Sequence, residues 1–238
     1  MSEKNKYIEV FPEFEEVTAF FATKEGASDG WPYDREDVFA ENWLEEAVPV
    51  RPKQIHEDHI ELIEQRPYRP LDLPDTDGMI TNLRGVLLTT VHADCLPVYF
   101  FDPFKNAIGL VHAGWRGTEK QIAAKAVVSM NHAFGTMPED VFAYIGPGIG
   151  RCCFEAGPEV YEKFSESCAF IDEFAEKKGG KYYIDLKGIN RRQLEELGVP
   201  AAGIKVSDRC TCCEPETFCS YRREGGTYRR MGAGICLI

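Results

Sequence analysis

Val111-His112-Ala113-Gly114-Trp115-Arg116-Gly117-Thr118 closes the apolar run Ala107-Ile108-Gly109-Leu110-Val111. Such a run reads as a buried strand. It ends in a histidine and a glycine-flanked turn that carries Trp115 and Arg116. The spacing predicts a helix opening at Thr118, with Gln121 three residues later in capping-box position. Strand ends that feed helix starts are where folds present reactive groups, and a helix start offers free N–H groups to an anion. Upstream, the strand-like run 86–91 ends in His92-Ala93-Asp94-Cys95. Two strand ends therefore deliver His, Asp, Cys and Arg within a short span, the pattern of a site rather than of a core.

A chain of 238 residues with 44% hydrophobic and 28% charged residues can bury a full core. It is expected to form one domain over 1–238 and to stand as a monomer. With 27 lysines and arginines against 39 aspartates and glutamates the net charge is −12. That balance argues against a nucleic-acid partner, which needs a basic face. A small anion remains compatible, because Arg116, Arg151, Arg222, Arg223, Arg229 and Arg230 cluster. No apolar run reaches the length of a membrane span, and the first residues lack the apolar core of a signal peptide. A cytoplasmic chain with no membrane partner is expected. Its nine cysteines, an odd number, read as free thiols or ligands rather than disulfides.

Working outward, Val17–Ala22 reads as a first strand, and Asp34 as the cap of a helix burying Val38, Phe39, Trp43, Leu44 and Ala47. Residues 64–78, rich in proline and aspartate, read as an exposed loop. Runs 97–101, 107–112 and 141–145 are strand-like. The helix after Thr118 places Ile122, Ala126, Val127 and Met130 on one face. Further helices are predicted over 158–165 and after Asp185, the latter turning Leu186, Ile189, Leu194 and Leu197 inward and stopping at Gly198. The tail 217–238 reads as two strands joined by a turn at Arg223-Glu224-Gly225-Gly226. Strands and helices mix without a β-α-β rhythm, so the expected fold is α+β: a mixed sheet core flanked by helices.

His56, Cys95 and His112 are candidate metal ligands, since catalytic zinc takes three His, Cys or carboxylate donors and keeps one position open. Spacing alone does not separate this from a satisfied buried histidine or a small buried thiol. His92 and Asp94, two residues apart on one strand face, are candidates for supporting the site. Cys210-Thr211-Cys212-Cys213 invites a zinc-ribbon reading but lacks a partner Cys-x-x-Cys. The vicinal pairs Cys152-Cys153 and Cys212-Cys213 are expected to diverge too far for one metal site.

Several separated motifs, in order, then make the chain similar to one family. His92-Ala-Asp-Cys-Leu-Pro-Val, His112-Ala-Gly-Trp-Arg-Gly-Thr, Ile145-Gly-Pro-Gly-Ile-Gly, Asp185-Leu-Lys-Gly-Ile-Asn-Arg, Cys210-Thr and Phe218-Cys-Ser-Tyr-Arg-Arg resemble the laccase-domain family. So do Thr23-Lys-Glu-Gly-Ala-Ser and Asp77-Gly-Met-Ile-Thr. Its members are also called YfiH-like and were once labelled multicopper polyphenol oxidases. The resemblance implies one Zn2+ bound by His56, Cys95 and His112. It also implies phosphorolysis of purine nucleosides (adenosine, inosine, guanosine, methylthioadenosine), adenosine deamination, and for some members a role in editing cell-wall precursors. Two positions depart from the family pattern: His92 stands where threonine is usual, and Arg229-Arg230 replaces a Gly-Arg pair.

Phosphorolysis needs phosphate held in line with the glycosidic bond, protection of the charge on the sugar, and a proton or hydrogen bond for the departing purine. Arg116 suits phosphate because its planar fork matches two oxygens, the alternative being a structural ion pair. Asp94 is the candidate for orienting a metal ligand or accepting a proton, against a turn-stabilising role. Glu155, after the glycine-rich turn, is a further catalytic candidate, against a solvated carboxylate. Three rivals remain open. A copper oxidase is short of imidazoles with five histidines in all. A cysteine hydrolase would use Cys95 as nucleophile and His112 as base. A zinc-stabilised interaction module would fill all four metal positions with protein.

Overall fold

The computed structural model describes residues 6–27, 46–227 and 229–238. The helix expected after Asp34 lies outside the described residues. In chain order the strands are β1 (Tyr7–Val10), β2 (Val17–Ala22), β3 (Val48–Pro52), β4 (Ile60–Leu62), β5 (Leu71–Leu73), β6 (Gly78–Thr81), β7 (Val86–His92), β8 (Leu96–Asp102) and β9 (Ala107–Ala113). Helices α1 (Trp115–Glu119) and α2 (Ile122–Phe134) come next, then β10 (Phe142–Ile145) and β11 (Glu155–Ala156). The remainder runs α3 (Pro158–Ser167), α4 (Ile171–Phe174), β12 (Ala175–Lys178), β13 (Lys181–Ile184), α5 (Leu186–Leu197), β14 (Ile204–Val206), α6 (Tyr221–Glu224) and β15 (Met231–Leu237).

Two six-stranded mixed sheets carry the fold, ordered β1-β2-β15-β7-β3-β5 and β14-β10-β8-β9-β6-β4. The second sheet is buried on both faces, which is why β8 and β9 are buried at every position. Alternation divides their side chains. Tyr99, Phe101, Ile108 and Leu110 pack with Phe21, Leu88 and Ile235 of the first sheet. Val98, Phe100 and Val111 pack with Ile122, Val127 and Met130 of α2 and with Ile189 and Leu194 of α5. The result is sheet on sheet on helices, an α+β architecture, as the sequence led us to expect.

Three local expectations are corrected. The helix after β9 opens at Trp115, capped by Gly114, and Thr118 lies inside it rather than at its start. The Thr118 hydroxyl accepts from Asn190 (2.9 Å) and its carbonyl from Gln193 (2.9 Å), so α5 holds it and no capping box forms. The chain breaks between α1 and α2 at Gln121, whose φ is +61°. Among the described residues of the tail only β15 is a strand. Ser220 accepts from Arg223 N (3.1 Å) while Glu224 accepts from Ser220 N (3.1 Å), a reciprocal cap that makes α6 instead of a hairpin. The stretch 64–78 is only partly exposed: it contains β5 and ends in buried Thr76 and Asp77.

Candidate functional site

Strand register assembles the site. In the β8–β9 ladder Leu96 lies opposite Ala113 and Pro97 opposite His112, so Cys95 and Gly114 meet just beyond its end. In the β6–β9 ladder Gly78 lies opposite Val111, which brings Asp77 beside His112. Between β7 and β8 the segment 92–95 crosses from one sheet to the other. Asp94 adopts φ +94° in that crossing. His56 comes from the turn before β4, with φ +64°.

Asp77 organises two of the three candidate ligands. Its carboxylate accepts from the backbone N–H of Ile55 (3.1 Å), His56 (3.1 Å) and Glu57 (2.9 Å), and lies 2.8 Å from His112 Nδ1. That contact leaves His112 Nε2 free to face the cleft. Burial works to raise the Asp77 pKa, but the His112 contact and the amide donors outweigh it and hold the carboxyl below its usual range. His112 responds in the opposite sense. Burial disfavours its charge, yet the Cys95 thiolate and Asp77 lift it to about 9. Cys95, whose burial would raise its pKa, is drawn down to about 6 by the His112 charge and by hydrogen bonds from His112 and His56.

The donor atoms of His56, Cys95 and His112 lie within 4.8 Å of one another. Imidazole and thiolate are donors for a transition-metal ion, and the space between them is kept clear. A Cβ on Gly114 would stand 3.1 Å from Cys95 Sγ, 3.5 Å from His56 Cδ2 and 3.9 Å from His112 Cε1. The three residues therefore fit a metal. His92 stays apart from them. Its Nδ1 meets the Cys95 carbonyl (3.0 Å) and its Nε2 meets the Thr90 hydroxyl (2.7 Å). Burial first, then the nearby His112 charge, push its pKa well below the usual value, so it stands as a neutral prop beneath Cys95.

His56, Cys95 and His112 line a cleft of about 1100 Å3 whose wall also includes Trp115, Arg116, Ile149, Phe154, Leu186 and Arg222. The Arg116 guanidinium lies over the Trp115 ring at 4.4 Å, and no carboxylate pairs with it among the described residues. Asp94 reaches the cleft, but its oxygens are engaged by the Thr211 hydroxyl (2.6 Å), the Ser220 hydroxyl (3.0 Å) and Arg222 N (2.7 Å). Orienting the imidazole falls to Asp77, which sequence reasoning placed in an exposed loop. The signal that marks it is its position directly before the buried strand Gly78-Met79-Ile80-Thr81. Glu155 is not brought into the cleft. Its carboxylate accepts from the Tyr183 hydroxyl (2.9 Å) and its carbonyl from Arg222 (2.9 Å).

A three-donor cluster, with His56 exposed, Cys95 half-buried and His112 buried, opens into a cleft whose Arg116 has no carboxylate partner among the described residues, and these features together define a candidate metal centre. The chain belongs to the family described as multi-copper polyphenol oxidoreductase laccase, whose model matches residues 34–238. It is 41% identical over 165 residues to purine nucleoside phosphorylase YlmD of Geobacillus stearothermophilus, covering 68% of this chain and 60% of that protein. It is 36% identical over 195 residues to adenosine deaminase RL5 from an unknown prokaryotic organism, covering 78% of this chain and 74% of that one. The crystal structure of YlmD from G. stearothermophilus superposes with a TM-score of 0.91 at 30% identity, over 100% of this chain and 98% of that one. The multicopper description does not suit the donors. Among the described residues only two histidines converge with Cys95, while His59 contacts Glu61 and His132 is exposed on α2. No helix among the described residues is long and apolar enough to cross a membrane.

Proposed function

We propose that this chain is a zinc-dependent purine nucleoside phosphorylase with adenosine deamination as a second activity, working as a single monomeric domain in the cytoplasm. The observation that carries the reading is the convergence of His56, Cys95 and His112 on the cleft that Arg116 also lines. The names of the relatives support it. Two imidazoles and one thiolate suit Zn2+ and leave a coordination position for a reactant. The bound ion supplies Lewis acidity to an oxygen of phosphate, sugar or water.

The chain's own residues do the rest. Asp77 holds His112 in one tautomer and fixes the His56 turn. Arg116, laid flat on Trp115, presents its fork to two phosphate oxygens. Ile149, Phe154 and Leu186 give the purine an apolar wall. Charge developing on the sugar is shielded from water by that wall and faced by the phosphate that Arg116 positions. Asp94 acts as a positioning residue for the 92–95 crossing and for Arg222, and Glu155 contributes its carbonyl rather than its carboxylate. The test is incubation of the metal-replete protein with adenosine, with and without phosphate. Adenine plus ribose 1-phosphate supports phosphorolysis, and inosine supports deamination. No product in either condition, with His112→Ala indistinguishable, overturns the assignment.

One observation favours a second reading, a cysteine hydrolase. Asp77, His112 and Cys95 line up as carboxylate, imidazole and depressed thiol, the order of a nucleophile with its base and orienter. Zinc ligation and nucleophilic attack exclude one another at the same sulfur. Iodoacetamide labelling of Cys95 in protein that retains its metal would favour the hydrolase.

A further inference from the structure

We propose that Cys152, Cys153, Cys210 and Cys213 form a second metal site, a tetrathiolate that holds one structural Zn2+ behind the cleft wall. The sulfurs lie within 4.8 Å of one another. The closest pairs are Cys153–Cys213 at 3.3 Å and Cys152–Cys213 at 3.5 Å. Four sulfurs at about 2.3 Å from one tetrahedral ion stand about 3.8 Å apart, so this spacing suits a single ion without large rearrangement. Burial gives no reason for the grouping, because Cys152 and Cys213 are exposed and only Cys210 is buried.

The vicinal pair was expected to diverge, and its backbone shows why it does not. Cys153 N and Phe154 N both donate to the Gly150 carbonyl (3.0 and 2.9 Å), so the pair sits in a helix-like turn. Successive side chains there are about 100° apart rather than on opposite faces. The partner turn is Cys210-Thr-Cys-Cys213, with Cys213 N and Glu214 N donating to the Cys210 carbonyl (3.1 and 3.2 Å). The two turns are fastened together by Thr211 N to the Gly148 carbonyl at 3.1 Å. The missing partner of the Cys-x-x-Cys is thus the vicinal pair.

Two further features are built for thiolates. Gly150 N–H points at Cys210 Sγ (3.2 Å), and a Cβ on Gly150 would stand 3.2 Å from Cys152 Sγ and 3.4 Å from Cys210 Sγ. Lys187 is buried, with its ammonium on the Ser207 and Arg209 carbonyls (2.8 and 2.6 Å) and no carboxylate paired to it among the described residues. Burial disfavours its charge, and of the negative groups that oppose this Cys210 stands ahead of Asp185 and Asp208. A zinc tetrathiolate, carrying two negative charges, would add to the counter-charge that Asp185 and Asp208 supply without touching the ammonium. Binding releases the thiol protons to solvent. The metal would stiffen the cleft from behind, because Arg222 donates to the Cys153 carbonyl (3.0 Å) and Arg223 to the Thr211 carbonyl (2.6 Å).

The test is titration of metal-depleted, reduced protein with Co2+ alone. The wild type is expected to take up a second equivalent beyond the cleft ion, with the strong sulfur-to-cobalt charge-transfer absorbance of four thiolates. That equivalent persists in His112→Ala and disappears in Cys153→Ser/Cys213→Ser. Thiol labelling of the wild type reads the same site without any variant. With Zn2+ present, Cys152 and Cys213 should react roughly tenfold or more slowly than after chelation. A single equivalent that vanishes in His112→Ala overturns the proposal. So does thiol reactivity indifferent to Zn2+, or a Cys152–Cys213 disulfide in protein freshly purified without added oxidant. Each outcome is independent of whether nucleosides are turned over.

Discussion

Asp77 concentrates four hydrogen bonds on one buried carboxylate, three from the 55–57 turn and one with His112. Replacing it by asparagine keeps the volume but removes the charge and half of the acceptor capacity. Partners that orient metal-bound histidines are worth about 10–100-fold in metal affinity. Asp77→Asn is therefore expected to weaken zinc binding by that amount in a chelator competition, with little change in the far-UV circular dichroism. Cys95 carries a pH prediction for the metal-free chain. Its depressed pKa favours folding above the unfolded thiol range, and that gain is lost as pH falls through about 6. The raised pKa of His112 favours folding at low pH, and that gain is lost as pH rises through about 9. The opposing slopes cancel between those limits, and outside them the folded and unfolded chains bind equal numbers of protons, so this pair predicts a stability that hardly changes with pH, read as a flat denaturation midpoint across about 6 to about 9 and beyond. Iodoacetamide labelling of Cys95 after chelation should rise with a midpoint near 6; a midpoint near the ordinary thiol value would show that no ion pair forms.

At the scale of elements, α1 is too short to hold itself and is gripped by α5, through Asn190 on the Thr118 hydroxyl and Gln193 on the Thr118 carbonyl. α1 carries Trp115 and Arg116, so α5 positions the arginine without touching substrate. Gln193→Ala removes one hydrogen bond worth about 1 kcal/mol, or about fivefold in an equilibrium. The expected result is a rise of about that size in KM for phosphate, with kcat and zinc content unchanged; loss of zinc instead would mean that α1 supports the metal and not the anion. The same contact explains what sequence could and could not reveal here. β7, β8 and β9 were readable because strands buried on both faces are continuous apolar runs, and α5 because Asp185 caps it through Gly188 N at 3.0 Å. The start of α1 was not, since Thr118 answers to a residue 72 positions away. Asp77 was hidden in a stretch whose prolines and aspartates resemble a solvated loop. The convergence of His56, Cys95 and His112 was readable only through the family's motifs, because their separations in sequence carry no register. The thiol cluster was not legible because adjacent side chains ordinarily diverge, and only the turns at 150–154 and 210–214 bring these sulfurs together.

At the scale of the whole molecule, the cleft sits where the two sheets share a corner. The segment 92–95 passes from the first sheet to the second, His112 ends the ladder of the second, and His56 leads into its edge strand β4. A metal on His56, Cys95 and His112 thus adds a direct tie among three chain segments, of which Asp77 already links two. A ligand that binds only the folded state adds about 2.7 kcal/mol at 100 times its dissociation constant. For a chain of this size each kcal/mol moves Tm by about 2–4 °C, so zinc at that excess should raise Tm by about 5–10 °C per occupied site over the chelated protein. The two metal sites share no ligand, so their contributions should nearly add. His112→Ala should keep part of the zinc-dependent rise, carried by the thiols, and Cys153→Ser/Cys213→Ser should keep the other part. Combining all three substitutions should abolish it. If His112→Ala alone removes the whole shift, the thiols hold no metal and the fold is clamped only at the cleft; if it removes none, the three cleft donors are not the ligands and the proposed chemistry loses its metal.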